Sequence, residues 1–228
     1  MLKQQIRQKV SCTLTIVVLF MMPVLFMACA KEPAPAVAHF SLDSNQQQET
    51  SLEKEVRTVM EKGISLDERK RQVPVIEIAF ARHTSQERAR NLAALCYLKT
   101  LGTPFTPLDM AEIALAETGG HKLSSKATST KGAIGVWQLM PNQARSHGYT
   151  PAEMRNDERN AEAAVRTLRQ KLDMADGNLD RAKKLYCGVG PQAEAYLKKL
   201  KTIRRDLKAE LARAGERVAQ NDRGTTIQ

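Results

Sequence analysis

The sequence predicts a mainly α-helical fold. Apolar residues recur at helical spacing from Thr84 to about Ala214, helix start and stop signals punctuate them, and no repeated strand alternation appears. Ser51 to Glu61 reads as a short polar helix, and Ser65 with Glu68 three residues on fits a capping box. Residues 73–82 fit neither period cleanly, because Val75, Ile76, Ile78 and Phe80 suit helix or strand. From Thr84 onward, Leu92, Ala93, Cys96, Leu98 and Leu101 give a broad inward face, and Gly102 is a stop. Thr106-Pro107 opens the next helix with a cap and a first-turn proline, and Asp109 complements its N-terminus. That helix carries Met110, Ile113 and Ala114 inward and reaches Glu117 before Gly119-Gly120 ends it. Further helices are expected over Asn160–Met174, Asp180–Tyr186 and Ala193 to about Ala214, with Gly188-Val189-Gly190-Pro191 breaking the last two.

The first 28 residues have the layout of a signal peptide. Lys3, Arg7 and Lys9 precede an apolar run, Leu14–Met22 and Val24–Ala28, broken by Pro23. The run closes on Leu25-Phe26-Met27-Ala28-Cys29, which resembles a bacterial lipobox and makes Cys29 the expected lipidation site. An uncleaved membrane anchor is the alternative, since a stretch of this length could span a bilayer. Either way the remainder would lie outside the inner membrane. A periplasmic domain, lipid-anchored to the outer or inner membrane, is the expectation. Residues 29–72 read as a tether and short helices, 73–203 as the compact domain, and 204–228 as a basic C-terminal helix and tail.

The chain of 228 residues carries a net charge of +10, from 35 Lys and Arg against 25 Asp and Glu. Removing the three leader cations leaves 32 − 25 = +7. Eight Lys or Arg lie between Lys198 and Arg217, against Asp206, Glu210 and Glu216. Such a run holds to anionic wall polymer or lipid head groups, or is a solvated helix face. Nucleic acid is not an expected partner, because no binding motif or aromatic interleaving accompanies the charge. Beyond Cys29, Cys96 and Cys187 are thiols or a single disulfide; without CxxC or paired histidines they form no metal site. No cofactor is expected.

The chemistry concentrates between residues 110 and 141. Glu117 ends an apolar helix whose preceding residues are Ile113-Ala114-Leu115-Ala116. A carboxylic acid there has the poorly solvated seat that keeps it protonated near neutral pH, as protonation of a glycosidic oxygen requires. The glycine-broken segment after it can present Gln138 and the aromatic Trp137 beside the acid.

These residues resemble the lytic transglycosylases of the lysozyme-like superfamily, soluble-lytic-transglycosylase type. Glu117-Thr118 stands for that family's Glu-Ser pair. Ala127-Thr128-Ser129-Thr130-Lys131-Gly132-Ala133-Ile134-Gly135-Val136-Trp137-Gln138-Leu139-Met140-Pro141 stands for its Ala-x-Ser-x-x-Gly-Ala-x-Gly-Leu-Met-Gln-x-Met-Pro run. Asn160 falls where the family opens its next helix. Leu185-Tyr186-Cys187-Gly188-Val189-Gly190-Pro191, with Tyr196 following, stands for Ala-Tyr-Asn-Ala-Gly, although Cys187 replaces the asparagine. The resemblance covers about residues 106–200.

The resemblance implies a lysozyme-like single catalytic domain that cleaves the β-1,4 bond between N-acetylmuramic acid and N-acetylglucosamine in peptidoglycan. Glu117 would be general acid and then base, with the C6 hydroxyl as internal nucleophile and a 1,6-anhydro end as product. Thr118, Ser129, Trp137, Gln138 and Tyr186 would be the substrate-binding residues. Trp137 is equally a core residue in this reading, Ser129 equally a turn residue. Tyr186 could hold the Glu117 carboxyl or an N-acetyl group. A lysozyme-type hydrolase, or an inactive glycan-binding scaffold of envelope-spanning machinery, are the alternatives.

Overall fold

The computed structural model describes residues 50–224, with side chains to residue 216; the leader, Cys29 and most of the tether lie outside the described residues. Among the described residues eight helices follow one another: α1 (Ser51–Met60), α2 (Leu66–Ala81), α3 (Gln86–Thr100), α4 (Pro107–Thr118), α5 (Pro141–Ser146), α6 (Asp157–Met174), α7 (Leu179–Cys187) and α8 (Pro191–Gly224). Short 3-10 turns at Gly119–His121 and Pro151–Arg155 link them, and the described residues contain only isolated bridges, no strands.

The ambiguous segment 73–82 is helical. Val75, Ile76, Ala79 and Phe80 are buried along one face of α2, whereas Ile78 points outward. Ile78 is thus the residue that blurred the period. Pro74 sits inside the same helix. Because α2 starts at Leu66 and buries Arg69 and Gln72, the packed domain begins before residue 73. Likewise α8 runs through residue 203 and still packs Leu207 against the core, so no break falls at 203/204. Leu98, expected inward, is 54% exposed on the last turn of α3. The Ser65 cap forms, with its side chain accepting from the Glu68 N–H, but Glu68 pairs with Arg71 rather than completing the box.

Arg69 fastens the amino-terminal end. Its buried guanidinium donates to the carbonyls of Thr100 and Phe105, at 3.0 and 2.7 Å, and to those of Lys62 and Thr103, at 2.6 and 3.1 Å. These carbonyls belong to two loops that would otherwise leave acceptors unpaired in the interior. Arg69 therefore holds the start of α4 beside the start of α2.

The wall of α4 is almost entirely buried and contacts α2, α3 and α8. Thr106 caps it as the sequence predicts, and Asp109 completes a capping box with it. Asp109 has a second role: with Glu112 it receives the ammonium of Lys183 from α7, at 2.5 and 2.6 Å. Arg204 of α8 closes the cluster on Glu112 at 2.8 and 3.1 Å and reaches Asp180 at 2.9 Å. Lys183 is fully buried and the two carboxylates nearly so. Burial pushes the Asp109 carboxyl upward, but the charge and hydrogen bond of Lys183, with Thr106, hold it below the usual carboxylate range. Two cations thus meet two buried anions, and three helices are joined through them.

Removing one partner of such a cluster strands buried charge. Lys183→Met is expected to lower unfolding free energy by about 3–5 kcal/mol, read from urea or guanidinium midpoints at unchanged m.

Candidate active site

Glu117 occupies the last turn of α4, where the helix emerges from the core and Gly119-Gly120 turns the chain away. Its side chain is only partly exposed, and loss of hydration pushes the carboxyl up to about 7. Two neighbours act in the other direction, the Tyr196 hydroxyl and the Lys199 ammonium, both from α8. Desolvation outweighs them, because a carboxylate loses more on leaving water than one partly screened cation returns. The Lys199 ammonium also donates to the carbonyl of Ala116, one of the acceptors that the end of α4 leaves open.

Tyr196 is buried, yet its hydroxyl meets no partner in hydrogen-bond geometry while facing the Glu117 carboxyl. Burial and the Glu117 charge both raise it well above the usual phenol range, so it remains a proton donor. The same carboxyl charge reaches Tyr186 and Cys187 at the end of α7. Glu117 is therefore surrounded by two phenols, a thiol and one ammonium. No second carboxylate contributes to its environment among the described residues.

The segment after α4 is shaped by a few obligatory contacts. Ile134 and Leu139 exchange N–H···O bonds at 2.9 and 3.0 Å, and the Gly135 N–H donates to the Ala127 carbonyl at 3.0 Å. Gly135 has φ +82°, and an added Cβ would lie 2.4 Å from the Met154 carbonyl oxygen and 2.7 Å from the Asn160 side chain. Only glycine fits there. Asn160 at the start of α6 accepts from the Trp137 N–H at 2.9 Å and donates to the Ile134 carbonyl at 3.1 Å. One buried amide thus holds both sides of the loop.

Several expected sugar contacts are occupied with other work. Trp137 is fully buried and its indole N–H donates to the Met110 carbonyl at 3.0 Å, so it packs in the core and stacks on no sugar. Thr118 is also fully buried; its hydroxyl reaches the Val136 carbonyl at 2.8 Å and that of Ala114 at 3.2 Å. It sews the acid's helix to the loop and does not face solvent. Tyr186 donates its hydroxyl proton to the Trp137 carbonyl at 2.8 Å, so that proton is not directed at the acid. The Ser129 hydroxyl accepts from the Ala133 N–H at 3.0 Å, which is the turn role. Gln138 stays partly exposed in a left-handed conformation, φ +50°, with its amide nitrogen on the Gly135 carbonyl at 2.7 Å. Among the described residues its amide oxygen has no partner, which leaves an acceptor beside the loop.

Cys96 and Cys187 are both free thiols. Cys96 is in the core, and burial raises its thiol strongly; Cys187 is exposed at the site, lifted by desolvation and by the Glu117 charge. The open disulfide alternative is thereby closed.

Two site residues, Tyr196 and Lys199, were not assigned roles by sequence reading. The signal was present: Ala193, Tyr196, Leu200, Ile203 and Leu207 recur at alternating spacings of three and four, marking the inward face of α8. A hollow of about 300 Å³ between α2, the end of α4 and α8 is bordered by His83, Leu115, Gly119 and Lys199. Glu117 does not line it, so its size says nothing of the acid's own opening.

No solved structure gives a significant match to the chain. Residues 110–202 match the family described as the Transglycosylase SLT domain. That span runs from the wall of α4 behind the acid, through the glycine-broken loop and both tyrosines, to α8 beyond Lys199. Residues 110–202 thus carry a Transglycosylase SLT domain, the domain of SLT-type lytic transglycosylases of the lysozyme-like superfamily, and that domain implies peptidoglycan as substrate.

Proposed function

We propose that the domain cleaves the β-1,4 bond between N-acetylmuramic acid and N-acetylglucosamine, with Glu117 as its single acid–base group. The observation that carries this reading is the Glu117 carboxyl at about 7, surrounded by phenols and free of any carboxylate partner among the described residues. A neutral carboxyl in this seat can give its proton to the glycosidic oxygen as the C–O bond breaks. Positive charge then develops on the muramyl ring, and the carboxylate left behind stands close to it.

Once ionised, Glu117 is stabilised by the Lys199 ammonium and by the Tyr196 hydroxyl, whose own proton stays in place. It can then remove the proton from the C6 hydroxyl of the same muramyl residue. The C6 oxygen forms the new bond to the anomeric carbon, giving a 1,6-anhydro end and returning the proton to Glu117. Atoms balance without water. The lack of a second carboxylate supports this route over a two-carboxylate hydrolysis, because the substrate's N-acetyl oxygen can assist in its place. Cys187 offers no amide at the position where related enzymes carry asparagine, which leaves Gln138 as the exposed amide of the site.

The apolar leader and Cys29 support export and a lipid anchor that would hold the domain on the wall side of a membrane. Such placement would present it directly to its polymer.

Glu117→Gln keeps the shape and removes the proton. Release of muropeptides from purified sacculi is expected to fall by at least about 10²-fold, with wild-type products lighter by one water than hydrolytic products in mass spectra. Hydrated reducing ends alone would overturn the transglycosylase reading, and equal turbidity loss by both proteins would overturn catalysis by Glu117.

The same carboxyl sets a pH dependence. Its folded value of about 7 lies above the ordinary 4.5, so its stability contribution is complete below 4.5 and is lost as pH rises through 7. Activity is expected to decline through a single ionisation near 7. Between pH 5 and 8 the wild type should lose about 2–3 kcal/mol of stability relative to Glu117→Gln, measured by paired denaturant titrations.

A further inference from the structure

We propose that the apolar stripe of α1 lies on the lipid bilayer surface and turns the catalytic end of the domain away from it. The proposal rests on the reading of residues 1–29 as an export leader ending in a membrane anchor.

Not one residue of α1 is buried. Leu52, Val56 and Val59 nevertheless align on one side at spacings of four and three, and are 67%, 49% and 64% exposed. Lys54 and Arg57 lie towards the other side. The helix has a complete capping box, Thr50 with Glu53, and an Arg57–Glu61 pair at 3.8 Å. A helix of ten residues is marginal in water even with good caps, and most helices of this length are held by burying an apolar face. Among the described residues that face is left largely open, with only Gly102 close to Val59.

The chain itself argues for what covers it. From Cys29 to Thr50 is 21 residues, and the apolar run ends just before them. A segment of that length spans at most about 70 Å, so an anchor at position 29 confines α1 to the neighbourhood of the bilayer. Confinement raises the effective concentration of the surface, and a stripe too small to bind a membrane from solution then suffices. The helix carries Glu53 and Glu55 against Lys54 and Arg57, so its charges balance and the attraction is apolar rather than electrostatic.

Orientation follows from how α1 is fastened. The Gly102 N–H donates to the Met60 carbonyl at 3.4 Å, and Gly63 lies against Pro104. Arg69 ties Lys62 to Thr103 and Phe105 immediately before α4 begins. α1 therefore joins the domain at the amino end of α4, whereas Glu117 is ten residues further on, about 15 Å along the axis. With the stripe on lipid, the acid stands at the far end of α4.

The test uses the full chain in phosphatidylethanolamine–phosphatidylglycerol vesicles with brominated acyl chains, which quench tryptophan only from within the bilayer. Trp137 is buried in the core and gives a constant background. L52W and V56W should emit at shorter wavelength than in detergent and be quenched, and the effect should persist in high salt. K54W and the wild type should be quenched little, and adding V56E to L52W should abolish the quenching while the protein still floats with the vesicles. Failure of the wild type to float overturns the anchor and the proposal together. Flotation with equal emission from L52W and K54W overturns the proposal alone. So does a blue shift of L52W that depends on protein concentration and is insensitive to bromine, which would mean that the stripe packs on a second copy.

Discussion

A carboxylic acid at a helix end ordinarily ionises, because water reaches it from three sides. Glu117 does so only near pH 7, since the first turns of α8 pack against the last turn of α4 and take that water away. The closure costs free energy, and the buried cluster of Asp109, Glu112, Lys183 and Arg204 offsets it. Each helix that contributes to the site contributes to this cluster. Glu112 lies five residues before Glu117, Lys183 three before Tyr186, and Arg204 eight after Tyr196. A shift of any helix along its axis would break short charge-assisted bonds before it moved the acid appreciably. The electrostatics that make the acid unusual are thus anchored by opposite electrostatics deeper in the core.

The loop from Gly132 to Pro141 shows a second division of labour. Most of its side chains serve the fold: Trp137 caps the core behind α4, Thr118 and Asn160 secure its backbone, and Gly135 makes room for Asn160. Gln138 is an exception: its left-handed backbone leaves its side chain partly exposed on the loop.

Helix starts and the position of the acid were legible in the sequence because they depend on local chemistry. Thr106-Pro107-x-Asp109 caps α4 as written, and Ile113 to Ala116 announce an apolar approach to Glu117. The tertiary assignments were less legible. Whether Trp137 faces sugar or core depends on what lies behind α4, and that is decided by α6 and α7, remote in sequence. Lys183 reads as one more cation in a basic chain; only its 71- and 74-residue reach to Glu112 and Asp109 makes it a core residue. Residues 73–82 looked ambiguous because Ile78 is apolar yet exposed, off the face that α2 packs against α3, α4 and α8.

Tyr196 illustrates why proximity to an acid does not by itself set its ionisation. A phenol in full hydrogen-bond geometry would favour the carboxylate and pull Glu117 towards ordinary values. Tyr196 does so only in part: its hydroxyl beside the carboxyl lowers the Glu117 value, yet loss of hydration outweighs it. The pull of a buried phenol on a carboxyl is greatest once that carboxyl carries its full charge. An interaction that strengthens as the reaction proceeds lowers the barrier, whereas one already complete in the resting state would deepen the well from which the reaction starts. Lys199, tied to the Ala116 carbonyl, lowers the Glu117 value as a neighbouring positive charge.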